Sequence, residues 1–192
     1  MATISELIGW ASKQLSQSES ARIDAEIILA SILGQNRTYL YTWSDREISA
    51  ESRSRFRRLI EKRAAGEPVA YLVGRQAFWS FDLKVSPATL IPRPETELLV
   101  ELALERIPGD GSVKVADLGT GSGAIALAIA SEHPQIQVIA TDSSASALEI
   151  AGQNAESLGL NHVEFRLGSW FEPLQLCGAP EQFNLIISNP PY

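Results

Sequence analysis

Val113 to Gly123 reads V-K-V-A-D-L-G-T-G-S-G, and the fold of the chain turns on how that stretch is understood. An apolar run from Val113 to Ala116 leads into Asp117, then Gly119, Gly121 and Gly123, and the small and branched residues Ala124 to Ala130 follow without a break. This order predicts strand, glycine turn, helix. Glycine suits such a turn because the chain bends sharply off the strand while its backbone N–H groups face a ligand with no Cβ in the way.

Downstream the same alternation continues. Strands are predicted over 113–116, 137–141, 163–167 and 184–188, with helices over 123–131 and 146–158 between them. Strand and helix in alternation mark an α/β fold with a parallel sheet and helices on its faces. Asp142 closes the second strand about 20 residues after the glycine turn, the place from which a carboxylate accepts hydrogen bonds from ribose hydroxyls. Acid plus glycine turn therefore predict a nucleoside cofactor. The spacing is G-x-G-x-G preceded by Asp117, not the dinucleotide pattern G-x-G-x-x-G, which favours S-adenosyl-L-methionine over a nicotinamide dinucleotide. That cofactor carries a sulfonium and an ammonium, so a carboxylate at the turn attracts it where it would repel a pyrophosphate. Asp117, Gly119, Thr120, Gly121, Ser122, Gly123 and Asp142 are the candidate cofactor residues, although a glycine turn of this kind also serves purely as the start of a helix.

Asn189-Pro190-Pro191-Tyr192 follows the last predicted strand, at the carboxyl edge of the sheet where ligands of this architecture bind. Consecutive prolines stiffen the turn and hold the Asn189 side-chain carbonyl and the Pro190 backbone carbonyl in fixed directions as acceptors. Two acceptors facing one point suit an NH₂ group, and Tyr192 can stack on a planar nitrogen-bearing group. Asn189, Pro190 and Tyr192 are the candidate catalytic residues and Asn189, Pro190, Pro191 and Tyr192 the candidate substrate site, with Asn189 also a candidate cofactor contact. The chemistry they suggest is positioning and desolvation of an amide or amino nitrogen before methyl transfer, with no metal.

Upstream of the glycine turn the periodicity is helical to Gly66. Ile4, Leu7, Ile8, Ala11 and Leu15 make one apolar stripe. Ser20 is a candidate cap for a second helix, with Ile23, Ile27, Ala30 and Leu33 as its stripe and Gly34 as its stop. A helical turn is expected over 39–43, and a third long helix starts at Ser49 with Phe56, Leu59, Ile60 and Ala64 inside. Arg53, Arg55, Arg57, Arg58, Lys62 and Arg63 on that helix form either a solvated face or a docking surface for an acidic protein or ribosomal RNA. Two short strands, 69–73 and 77–85, are expected to turn at Gly74 and Arg75 as a hairpin linker. After Leu90-Ile91-Pro92-Arg93-Pro94-Glu95-Thr96-Glu97 a mostly buried helix is expected, with Glu97, Glu101 and Glu105 as its polar line.

Composition narrows the class. The 192 residues are 45% apolar, enough for a true core, and a net charge of −7 argues against a chain whose main task is tracking a phosphate backbone. The single cysteine, Cys177, allows no internal disulfide, and the longest apolar run falls far short of a membrane span, so a cytoplasmic protein with no membrane partner and no direct DNA binding is expected.

The chain resembles the HemK-type family, the release factor glutamine methyltransferases. The resemblance is carried by Ser18-Glu19-Ser20, Asp24-Ala25-Glu26, Gly66-Glu67-Pro68 with Tyr71, Phe78-Trp79, and the long run Ser86 to Glu97 ending in Pro-Arg-Pro-Glu-Thr-Glu. It continues through Asp117-Leu118-Gly119-Thr120-Gly121-Ser122-Gly123 and Ser188 to Tyr192. The resemblance implies a helical substrate-docking domain at 1–66, a β-hairpin linker at 67–89 and a Rossmann-like class I methyltransferase domain at 90–192. It implies a monomeric enzyme of translation termination that methylates the glutamine of the Gly-Gly-Gln loop in class 1 peptide chain release factors, with S-adenosyl-L-methionine as cofactor. It also implies that Trp170 covers the adenine. Where family members often carry an acid before that tryptophan, Gly168-Ser169-Trp170 offers a hydroxyl. The family continues through further helices and three more strands, so the chain is expected to be a piece of a longer enzyme, its sheet incomplete on the C-terminal side and the strand with Leu185, Ile186 and Ile187 left as an edge. A nucleic-acid amino-methyltransferase and a remnant that binds cofactor or partner without turnover are the rival readings.

Overall fold

A computed structural model describes residues 2–108, 113–176 and 179–190, and within it the chain divides into two units, Met1–Gly74 and Arg75–Tyr192. Cys177, Pro191 and Tyr192 lie outside the described residues.

The first unit is helical. Helix α1 (Ile4–Gln14) opens with a capping box, Thr3 accepting from the Glu6 N–H while Glu6 accepts from the Thr3 N–H, and buries Ile4, Leu7, Ile8 and Ala11 as its spacing predicts. Helix α2 (Ala21–Leu33) ends at Gly34, whose φ of 62° is the left-handed conformation glycine adopts without strain. Ser20 precedes it without a side-chain cap bond, and the buried face matches the expected stripe only in part: Ala30 is buried and Leu33 packs partly buried against the core. Ala25, Ile28 and Leu29 face the core, whereas Ile23 is 48% exposed. Ion pairs rotate the face: Asp24 is drawn inward by Arg63, 2.8 Å away, and Glu26 is enclosed by Arg22, Arg37 and the Tyr41 hydroxyl. Burial opposes ionisation of Glu26, yet the hydrogen bonds from Arg37, Tyr41 and Arg22 outweigh it and hold the carboxyl below its ordinary range. Helix α3 (Arg37–Thr42) is the expected turn, and α4 (Ala50–Ala64), capped by Ser49, buries Phe56 and Ile60. Along α4 the Arg57 guanidinium lies 5.3 Å from the Trp10 ring centroid.

Residues Val69–Val73 form a short helix, α5, where a strand was expected. Valine favours strands locally, but Pro68 at the start and left-handed Gly74 at the end are helix punctuation, and Ala70 is buried. The hairpin therefore begins later than expected. Strands β1 (Arg75–Phe78) and β2 (Phe81–Lys84) pair antiparallel, with Phe78 opposite Phe81 across Trp79 and Ser80. Phe78 and Leu83 are buried in the core of the second unit, so the hairpin belongs to that unit.

Helix α6 (Glu95–Leu104) buries Thr96, Val100 and Ala103. It was expected to be mostly buried; instead Leu98 is 57% exposed and Leu102 also faces out, because a helix packed on one side needs only one stripe. Strand β3 (Lys114–Leu118), helix α7 (Ala124–Glu132), β4 (Gln137–Asp142), α8 (Ala145–Leu158) and β5 (Glu164–Leu167) follow the predicted alternation to within about two residues. A small antiparallel pair, β6 (Gln175–Leu176) and β7 (Ala179–Pro180), precedes β8 (Leu185–Ser188). The main sheet is parallel in the order β5-β4-β3-β8, with Leu118 opposite Thr141 on one side and Ser188 on the other. Residues Ala124 to Ala130 of α7 are all buried. Among the described residues β8 pairs only with β3, with Ile187 buried and Ile186 exposed.

Candidate cofactor and substrate site

The carboxyl ends of β3, β4, β5 and β8 open on a cavity of about 350 Å³, within the usual range for small-molecule sites. Of the predicted residues, Gly119, Gly121, Asp142, Trp170, Asn189 and Pro190 line it, joined by Ala88, Leu90, Ser143 and Ser188. The left-handed φ values at Gly119 (74°) and Gly121 (58°) are what the turn requires of glycine.

Asp142 is fixed by backbone. Its Oδ2 accepts from the Gly121 N–H at 2.9 Å and its Oδ1 from the Ser144 N–H at 2.9 Å. A carboxylate oxygen accepts twice, so each retains acceptor capacity for a ribose hydroxyl. The same aspartate thus braces the glycine turn and fits the expected ligand.

Asp117, Thr120, Ser122 and Gly123 are not among the residues that line this cavity. Asp117 is fully buried: its Oδ2 accepts from the Thr120 hydroxyl at 2.6 Å, while no hydrogen bond reaches Oδ1 within 3.5 Å. Burial pushes its carboxyl up to about 6, against the Thr120 hydrogen bond and the nearby Ala126 N–H at the start of α7, and the Asp142 charge adds to the rise. Gly123 has φ 84°, and a Cβ there would meet Leu127 at 3.0 Å and Ala151 at 3.2 Å, so this glycine serves close helix packing. Ser122 contributes its carbonyl, which accepts from the side chain of Asn154 at 2.9 Å. Asn154, buried on α8, also accepts from the Lys84 N–H at 2.7 Å and donates to the Lys84 carbonyl at 3.0 Å. Composition gives no hint of this brace.

Trp170 is 58% exposed, with φ 48°, and stands at the rim. Gly168 donates to the Asp142 carbonyl at 3.0 Å, and a Cβ on Gly168 would meet Pro173 at 2.9 Å. Glu172 accepts from the Ser169 N–H at 3.2 Å, so an acid does stand in this loop, after the tryptophan instead of before it.

Asn189 donates through Nδ2 to the Thr96 hydroxyl of α6 at 3.2 Å, and Ser188 donates to the Leu118 carbonyl at 2.9 Å. A second cavity of about 700 Å³ is lined by Arg93, Glu95, Thr96 and Leu99 together with Leu90, Ser188, Asn189 and Pro190, which also line the first. Within Pro-Arg-Pro-Glu-Thr-Glu nothing in the local sequence marks Thr96 for a role; only the fold brings it to Asn189.

A parallel sheet with a glycine turn, a terminal acid on the next strand and an Asn-Pro pair at its carboxyl edge defines an α/β protein of the class I methyltransferase type. Residues 6–74 match the family described as PrmC N-terminal domain, and residues 95–192 match the methyltransferase small domain. The chain belongs to the methyltransferase small domain family. A release factor glutamine methyltransferase of Xylella fastidiosa is 56% identical over 171 residues, covering 89% of this chain and 61% of the relative. The protein of that name from Escherichia coli is 45% identical over 179 residues, covering 93% of this chain and 63% of its own length. This chain therefore spans 61% and 63% of those two relatives. Among solved structures, the ribosomal protein L11 methylase of Lactobacillus delbrueckii subsp. bulgaricus aligns over 56% of this chain and 52% of its own at 28% identity, with a TM-score of 0.45.

Proposed function

We propose that this chain carries the cofactor site and the amide clamp of a release factor glutamine methyltransferase, which transfers a methyl group from S-adenosyl-L-methionine to the side-chain nitrogen of the glutamine in the Gly-Gly-Gln loop of class 1 release factors. The observation that supports it most is that Ser188, Asn189 and Pro190 line both cavities, one beside Asp142 and the other beside Arg93 and Thr96. A group held in the first cavity and one held in the second would meet at Asn189 and Pro190. The names of the relatives support glutamine as acceptor, and the match of residues 6–74 to the PrmC N-terminal domain supports the helical unit as part of the same enzyme, where its proposed task is to dock the release factor.

In this reading the ribose lies against Asp142, and Trp170 covers the adenine. When bound, the cofactor supplies a methyl group activated by its sulfonium. The chain's own work is on the acceptor. An amide nitrogen is a weak nucleophile because its lone pair is delocalised into the carbonyl. The Asn189 Oδ1 and the Pro190 carbonyl, accepting from both N–H bonds, favour the geometry in which that lone pair is available and aimed. One N–H proton leaves to solvent as the N–C bond forms. A cytoplasmic monomer fits this role, and no helix among the described residues is long and apolar enough to cross a membrane.

The test is transfer of labelled methyl from S-adenosyl-L-methionine, offered a class 1 release factor or DNA. Label is expected on the release factor and to fall sharply, to a measurable residual rate, in Asn189→Ala; label on DNA would overturn the reading in favour of a nucleic-acid amino-methyltransferase.

A further inference from the structure

We infer that Thr96 is a positioning residue for methyl transfer, acting through Asn189; the inference rests on the function proposed above. The side-chain amide of Asn189 is planar, with Oδ1 and Nδ2 on opposite sides of one carbon. Only Oδ1 can accept from a substrate NH₂; the reverse orientation sets donor against donor. Engaging Nδ2 elsewhere therefore fixes where Oδ1 points. Among the described residues the Thr96 hydroxyl is the one side-chain partner of Asn189, at 3.2 Å.

Thr96 is well suited to the task. It is buried, and its β-branched side chain has few rotamers, so the hydroxyl presents a fixed acceptor and not a wandering one. Its helix is anchored close by. Glu97 accepts from the Trp79 N–H at 2.7 Å, at a tryptophan whose φ is 55°, and Trp79 Nε1 donates to Glu132 of α7 at 2.8 Å. The first turn is closed by the Thr96 N–H to the Arg93 carbonyl at 2.9 Å and the Glu97 N–H to the Pro94 carbonyl at 3.0 Å. The hairpin and α7 thus anchor the start of the helix that presents Thr96 to Asn189.

Thr96→Val keeps the branched shape and removes the acceptor, whereas Thr96→Ser keeps the hydroxyl. With a release factor as substrate, Thr96→Val is expected to lower kcat about tenfold while cofactor affinity is unchanged, and Thr96→Ser to recover most of the loss. In an Asn189→Ala background Thr96→Val is expected to cost nothing further, because the two residues act as a unit. A second measurement needs no turnover: the Asn189 side-chain NH₂ proton signals, resolved and protected in the unmodified chain and in Thr96→Ser, are expected to lose protection in Thr96→Val. Wild-type kcat in Thr96→Val, an equal loss in the Asn189→Ala background, or unchanged NH₂ protection would each overturn the inference. Absence of transfer by the unmodified chain would instead overturn the proposed function, and the NH₂ signals then decide alone whether Thr96 fixes Asn189.

Discussion

Two aspartates, Asp117 and Asp142, bracket the glycine turn and do different work. Asp142 stands at the cavity with both oxygens braced by backbone N–H groups, while Asp117 is buried beneath the turn with one oxygen unpartnered. Both were read from sequence as facing the ligand, because spacing shows that an acid adjoins a turn and not which side of the turn it occupies. Burial leaves a pH signature at Asp117. Its carboxyl titrates at about 6 when folded and near 3.8 when free, so the unfolded chain ionises first. A raised carboxyl costs the fold nothing below about pH 4; the cost grows between about pH 4 and pH 6 and is complete above, on the order of 3 kcal/mol. Asp117→Asn, which can still accept from Thr120, is expected to flatten the decline of unfolding free energy across that window. Denaturation at pH 4, 5, 6 and 7 measures it, and an unchanged pH profile would show that Asp117 does not carry the effect.

At the scale of elements, the parallel strands and their helices were legible because apolar runs of strand length alternate with helical ones, and Asp142 and Asn189 were legible because they end strands. Elements whose neighbours override local preference were not. Valine-rich α5 is helical between Pro68 and Gly74, and the buried face of α2 follows ion pairs at Asp24 and Glu26 that no count of apolar residues reveals. Braces made over long separations were also hidden. Asn154 reaches Lys84 and Ser122, 70 and 32 residues away, and so joins the end of β2 to the glycine turn through α8. Removing it leaves the Lys84 N–H and carbonyl and the buried Ser122 carbonyl without that partner. Asn154→Ala is expected to lower unfolding free energy by roughly 3 kcal/mol and to weaken cofactor binding. Chemical denaturation and equilibrium dialysis measure the two effects; full stability would show that another group satisfies the turn.

At the scale of the whole molecule, the two units differ in how they are held together, and the first has what it needs within itself. Its core consists of residues from all four long and short helices before Gly66, including Ile4, Leu7, Ile28, Leu29, Leu40, Phe56 and Ile60. Its buried carboxylates among the described residues find their cations inside the same unit, Asp24 with Arg63 and Glu26 with Arg22 and Arg37, so separating it strands neither charge. Domains of about 55–65 residues commonly fold alone, and this unit is a little longer. Residues 1–74 expressed by themselves are therefore expected to give a helical circular dichroism spectrum and one cooperative thermal transition. Glu26→Ala in that fragment leaves Arg37 and Tyr41 without their shared acceptor, and it is expected to lower the transition sharply. A broad, non-cooperative melt of the unmodified fragment would mean that its core depends on the rest of the chain, and that the helical unit is not an independent folding unit.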